Sequence, residues 1–154
     1  MKTLVLGIGN TLLTDEGIGV HAVHYLQQHH ADLQDIEYLD GGTLSFTLAG
    51  PIETADNLIV IDATELQAAP GSIKTFIGAE MDSFLNSHNK RSVHEVSLID
   101  LLSIARLAEQ LPHHRALVGI QPQQLDWGEQ PTPALQAAIP DACQQVVNLI
   151  EAWH

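Results

Sequence analysis

Apolar and polar positions along the chain follow two rhythms. Thr3 to Ile8 is a short apolar run with β-branched members, the pattern of a strand buried on both faces, and it leads into the glycine-rich turn Gly7-Ile8-Gly9-Asn10. From Glu16 onward Ile18, Ala22 and Leu26 recur every fourth residue with Val23 alongside, while His21, Gln28 and the end of the segment are polar. That spacing predicts an amphipathic helix, capped by Thr14 or Asp15. Asp35 to Leu39 and Asn57 to Ile61 predict a second and a third strand, ending in Asp40-Gly41-Gly42-Thr43 and Asp62-Ala63-Thr64. Between them, Leu44 to Ala49 predicts a short helix stopped by Gly50-Pro51.

The same alternation continues in the second half. Gly71 to Ile77 and Ala116 to Gln121 read as a fourth and a fifth strand, the latter ended by Pro122. Val96 to Leu111 reads as a helix with only a narrow polar stripe, Asp100, Ser103 and Arg106, so protein should cover more than one of its sides. Ser92-Val93-His94-Glu95 ahead of it fits a capping box. The last helix opens at Thr132-Pro133, where proline's missing N–H costs nothing. Its stripe of Leu135, Ile139, Ala142, Val146, Leu149 and Trp153 runs through Pro140, which predicts a kink without a break. Gln123 to Pro131 is expected to be a mobile loop. Strand and helix in alternation predict an α/β fold: a three-layer α/β/α sandwich around a mostly parallel five-stranded sheet, with residues 1–154 forming one domain.

Composition narrows the setting. A chain of 154 residues with 45% hydrophobic positions buries enough surface to fold without disulfide or metal staples. Lys and Arg number 6 against 19 Asp and Glu, a formal charge of -13 that repels phosphate backbones and anionic lipid, so neither nucleic acid nor a membrane is an expected partner. Met1 to Leu6 is too short an apolar start for a secretory signal, and no apolar run reaches membrane-spanning length. A single cysteine, Cys143, excludes an internal disulfide and suits a small buried apolar role in a reducing, cytoplasmic compartment.

In an open α/β sheet ligands bind beyond the carboxyl ends of the strands. Those ends are acidic here: Asp15-Glu16 after the first, Asp40 after the second, Asp62 after the third. Converging acids repel one another unless they share protons or a cation sits among them, so a metal site is the simplest resolution. His94, in the predicted first turn of a helix, is held neutral by the helix dipole, which is the ligand form. One imidazole with Glu16 and Asp62 suits a borderline divalent ion such as nickel or zinc. Structural readings stand beside each of these. The glycines also make a tight turn, Asp40 and Asp62 also form local turn hydrogen bonds, Glu16 also complements a helix dipole, and His94 is also an ordinary first-turn residue. The pairs His29-His30 and His113-His114 read as solvated ends of elements. A dinucleotide fingerprint lacks its third glycine, and no phosphate-loop lysine, nucleophile elbow or His-Glu-x-x-His is present, so no organic cofactor is expected.

Five pieces together resemble the maturation endopeptidases of nickel–iron hydrogenases. They are Gly7 to Gly19 with its Asp15-Glu16-Gly17, Asp40-Gly41-Gly42-Thr43, Asp62-Ala63, Ser92-x-His94, and Gly119-Ile120-Gln121-Pro122, in the family's order. The resemblance implies a cytoplasmic protease that removes a C-terminal extension from the precursor of the hydrogenase large subunit after nickel insertion. It implies that Glu16, Asp62 and His94 contact the nickel, which belongs to the substrate and acts there as a checkpoint. On this reading the metal acts as a Lewis acid or activates a water. Asp40 supplies a supporting base or positions substrate, and Gly41-Gly42 lets a substrate backbone approach. Two other readings are a nickel-handling module that cuts nothing and a peptidyl-tRNA hydrolase, whose opening Gly-x-Gly-Asn is similar. The net charge and the missing proline after Asn10 argue against the latter.

Overall fold

The computed structural model describes residues 1–87 and 97–154. Five strands, β1 (Thr3–Ile8), β2 (Ile36–Gly42), β3 (Asn57–Ala63), β4 (Ile73–Ile77) and β5 (His114–Ile120), form one sheet in the order β2-β1-β3-β5-β4. All neighbours are parallel except β4, which runs antiparallel to β5. The sequence reading of a mostly parallel five-stranded sheet between helical layers describes this arrangement. Because β1, β3 and β5 from Ala116 onward are wrapped on both faces, their positions read as continuous apolar runs, whereas the edge strand β2 is only half-buried.

One face of the sheet packs against α1 (Ile18–His29) and α5 (Pro133–Trp153), with Val5, Ile59, Ile61 and Val118 meeting Ile18, Val23, Leu26, Leu135 and Val146. The other face packs against α2 (Ala49–Thr54), α3 (Ala79–Ser87) and α4 (Leu98–Leu107), with Leu6, Leu58, Val60 and Leu117 meeting Ile52, Met81 and Leu101. The chain leaves β1 toward β2 on one face and crosses back from β2 to β3 on the other. The carboxyl ends of β1 and β3 therefore flank the crevice where such folds bind ligands.

Several local expectations are corrected. Neither Thr14 nor Asp15 caps α1; a 3₁₀ turn over Thr14–Gly17 precedes it, and Gly17 occupies the cap position without a side-chain bond. Gly50-Pro51 does not stop the second helix but lies inside its first turn, where the proline's absent N–H would have had no partner anyway. Helix α3 was not expected at all. Helix α4 begins at Leu98 and is capped by Ser97, whose hydroxyl accepts from the Asp100 amide while the Asp100 carboxylate accepts from the Ser97 amide. The box expected at Ser92–Glu95 lies outside the described residues and is not the cap of this helix. Its end also comes earlier, at Leu107, which is 86% exposed. Helix α5 continues through Pro140 as expected, and Cys143 is buried, its thiol pushed up to about 12 by burial.

Asp82 fixes the direction of α4. Its carboxylate takes a two-point bond from Arg115 at the start of β5 (3.0 and 2.5 Å) and meets Arg106 at 3.4 Å. The last turn of α4 is thereby held at the amino end of the sheet. Ten residues rise about 15 Å, so Ser97 lies toward the carboxyl edge. The chain thus enters α4 at the carboxyl edge, on the face that α2 and α3 also cover.

Candidate active site

Glycine decides where the first acid sits. Gly9 has φ +136, and a Cβ there would collide with the Glu16 carbonyl; a Cβ on Gly19 would collide with the Ile61 and Ile8 carbonyl oxygens. These close approaches press the Thr14–Gly17 turn onto the ends of β1 and β3. Glu16 is left half-buried above the edge, close enough for its charge to act on Asp62.

Asp62 is the penultimate residue of β3 and pairs in register with Gly119. Ile61 and Ala63 pack toward α1 and α5, so Asp62 points to the opposite face, the one where the chain enters α4. Burial first, and the Glu16 charge second, push its carboxyl well above the usual carboxylate range, against a single bond from the Ala63 amide. The residues after it are fixed by Gln121. Its Oε1 accepts from the Leu66 and Ala68 amides at 2.6 and 3.4 Å, and its Nε2 donates to Glu65 at 2.9 Å. Gly119 leaves room for the Thr64 side chain. The Gly119–Pro122 motif thus supports the loop that follows Asp62.

Asp40 goes elsewhere. It belongs to β2 opposite Gly7, not to its end, and shares the face of Ile36 and Tyr38, which pack toward α1. Its Oδ1 accepts from the Gly42 amide at 2.9 Å, and its Oδ2 lies 3.7 Å from His24 Nε2. Gly41 is the extra residue of a bulge where the register passes from Gly7↔Asp40 to Ile8↔Gly42. Gly42, at φ +49, accepts from the Gly9 amide at 2.8 Å. The structure thus brings Glu16 close to Asp62 and sends Asp40 to the opposite face of the sheet from Asp62. His94 lies outside the described residues. Among those described, no group of three or more His, Cys, Asp or Glu is arranged to hold a metal ion. His29 bonds the Tyr25 carbonyl and stacks on its ring, and His114 stacks on Trp153, both structural roles.

His21, one turn before His24, has a buried Nε2 without a hydrogen-bond partner. Burial, then the neighbouring His24, lower its pKa from 6.5, with Asp40 opposing. The unfolded chain therefore takes up a proton near 6.5 that the fold resists, so stability falls as pH drops below 6.5. His21→Gln should flatten this part of the stability–pH curve in urea titrations between pH 7 and 5; an unchanged slope would locate the effect elsewhere.

Asp15 was grouped with Glu16 at the acidic edge, yet it is fully buried and faces away into the 123–132 segment. Its Oδ2 accepts from the Gln123 and Gln124 amides (2.8 and 3.0 Å), its Oδ1 from the Thr132 amide (2.7 Å), and the Thr132 hydroxyl reaches both oxygens (3.0 and 2.9 Å). Burial alone would raise its pKa, but these donors outweigh it and hold the carboxyl below the usual value. The Gln123–Pro131 loop, expected to be mobile, is pinned at both ends. No local pattern joins positions 15 and 132, which is why the sequence did not reveal the clamp.

Comparison with known proteins follows the same lines. A family model described as HycI, hydrogenase maturation protease, matches residues 20–149. The chain is 36% identical to the hydrogenase expression/formation protein HupD of Bradyrhizobium diazoefficiens, over 99% of this chain and 79% of that protein. It is 38% identical to the hydrogenase 2 maturation protease of Escherichia coli K12, over 96% of this chain and 89% of that one. Among solved structures, the hydrogenase maturating endopeptidase HybD from E. coli superposes with a TM-score of 0.90 at 37% identity, covering 99% of this chain and 93% of that chain.

Proposed function

The chain belongs to the hydrogenase maturation protease family, and from that premise we propose that it removes the C-terminal extension of a nickel–iron hydrogenase large-subunit precursor once nickel is in place. Membership of a protease family displaces the non-cutting nickel module and the peptidyl-tRNA hydrolase. The observation that carries the finer reading is the pairing of Glu16 with a half-buried Asp62 at the crevice. Two acids forced together, one raised by burial and by the other's charge, are stabilised by a divalent cation, and the substrate's nickel supplies one.

His94 is the third contact. It precedes the α4 cap, Ser97, by three positions, and α4 starts at the carboxyl edge on the face to which Asp62 points. With the nickel held there, a water oxygen bonds to the scissile carbonyl carbon, the C–N bond breaks, and the water's protons pass to the leaving amine and to solvent. Asp40, engaged with Gly42 and His24 on the opposite face, suits substrate positioning rather than the role of base. Among the described residues no helix is long and apolar enough to cross a membrane, which is compatible with the cytoplasmic setting proposed here.

The test is mass spectrometry of nickel-loaded and nickel-free precursor after incubation with the protein. Loss of a C-terminal fragment only from the loaded sample is expected, and His94→Ala should abolish it while leaving the thermal unfolding profile intact. Trimming of the nickel-free precursor at the same rate would refute the checkpoint, and normal trimming by the variant would remove His94 from the site.

A further inference from the structure

Resting on the protease reading above, we propose that Asp15 is a positioning residue of the active site, acting on the reaction through Glu16 by locking the turn that carries it. Asp15 and Glu16 are consecutive on a 3₁₀ turn with three residues per repeat, so a side chain fixed inward at one sets the direction of the next. The lock extends on both sides of Asp15. Its own amide donates to the Gln124 carbonyl at 3.1 Å, the Thr14 amide to Gly128 at 2.8 Å, the Thr14 hydroxyl to Gln124 at 2.6 Å, and the Gly128 amide to Leu12 at 2.8 Å.

Thr14 itself sits at φ +45, a left-handed conformation that a β-branched residue adopts only when its surroundings impose it. The bonds that Thr14 donates to the Gln124 and Gly128 carbonyls are what impose it. Released from them, Thr14 returns to negative φ, and the turn beyond it rotates and carries Glu16 off its place above Asp62. A carboxylate is needed at position 15 because every donor there points at an oxygen. An amide presents N–H groups to at least one of them, so Asp15→Asn opens the clamp with little change of shape.

The experiment compares wild type, Asp15→Asn and Thr132→Val with nickel-loaded precursor, and follows amide hydrogen exchange in the free proteins. Displacement by about 1 Å costs on the order of 100-fold in rate, so Asp15→Asn should lower kcat at least tenfold, with KM changed by less than about threefold. Thr132→Val, which deletes one hydroxyl and keeps the backbone donors, should lower kcat by roughly threefold on the same ground. Exchange at Gln123, Gln124 and Thr132 should quicken in Asp15→Asn, and with it exchange at Glu16, whose amide bonds the Leu13 carbonyl at 3.0 Å.

The inference is overturned if Glu16 keeps its wild-type protection in Asp15→Asn, or if that variant retains wild-type kcat. Should Asp15→Asn fail to fold, unchanged kcat and Glu16 exchange in Thr132→Val overturn it equally. Failure of the wild type to trim the precursor would instead count against the proposed substrate, while Glu16 exchange still decides the role of Asp15.

Discussion

Asp62→Asn should abolish precursor trimming, lowering the rate by about 100-fold or more, and at the same time make the free protein more stable. The loss of trimming follows from removing a carboxylate proposed to contact the nickel. The gain in stability follows from burial and the Glu16 charge, which raise the Asp62 carboxyl well above the ordinary carboxylate range. The sign follows from linkage. A folded-state pKa above the unfolded value means that the fold favours the neutral acid. This contribution is fully present below about pH 3.8 and is lost as pH rises through the folded value. At neutral pH the wild type carries that loss. Asparagine keeps the shape without the charge, so its melting temperature at pH 7 should exceed the wild type's by roughly 2–4 °C, equivalent to about 1 kcal/mol for a chain of this size. The difference should vanish below about pH 3.8. A paired set of melts across pH, with precursor cleavage on the same preparations, checks both halves. A variant that is less stable at pH 7 than at pH 3 relative to wild type would contradict the assigned direction.

Gly19→Ala should be among the most damaging single-methyl changes in the protein. The added Cβ meets the carbonyl oxygens of Ile61 and Ile8, which belong to the sheet and cannot rotate aside as a side chain would. Overpacking of this kind costs about 1–3 kcal/mol, or roughly 3–10 °C of melting temperature. The surviving folded protein should still cleave poorly, because relief requires α1 and the Glu16 turn to lift away from β3. Gly50→Ala is the matching control. Position 50 lies in helix α2 with open space around its Cβ, so alanine there should stabilise by about 0.5–1 kcal/mol. Calorimetry on the two variants, with activity normalised to the folded fraction, separates the outcomes. Equal stabilities for Gly19→Ala and the wild type would mean that the helix is not seated against the sheet as described.

Local patterning made the sheet legible because a strand wrapped on both faces has to be apolar throughout. Thr3–Ile8 is bounded in the structure as its residues suggest, and Pro133 and the α5 stripe mark the last helix for the same reason. Helix α3 was harder to read: its nine residues bury only Met81 completely and leave Glu80 and Asn86 exposed, too little periodicity to announce a helix. The N-cap of α4 was misplaced because Ser92–Glu95 and Ser97–Asp100 both satisfy the same four-residue rule, and the rule does not say which serine meets the first buried turn.

The letters by themselves determined an α/β fold with an acidic carboxyl edge, and they singled out Glu16 and Asp62, because strand burial and the residue types that follow a strand are written locally. Whether neighbouring acids face one site or two was decided only in three dimensions. Strand parity sends Asp62 and Asp40 to opposite faces of the sheet, and Asp15, next to Glu16 in the chain, turns away to bind Gln123, Gln124 and Thr132. Those partners lie more than a hundred positions away, and side-chain direction depends on backbone packing that no short stretch of sequence specifies.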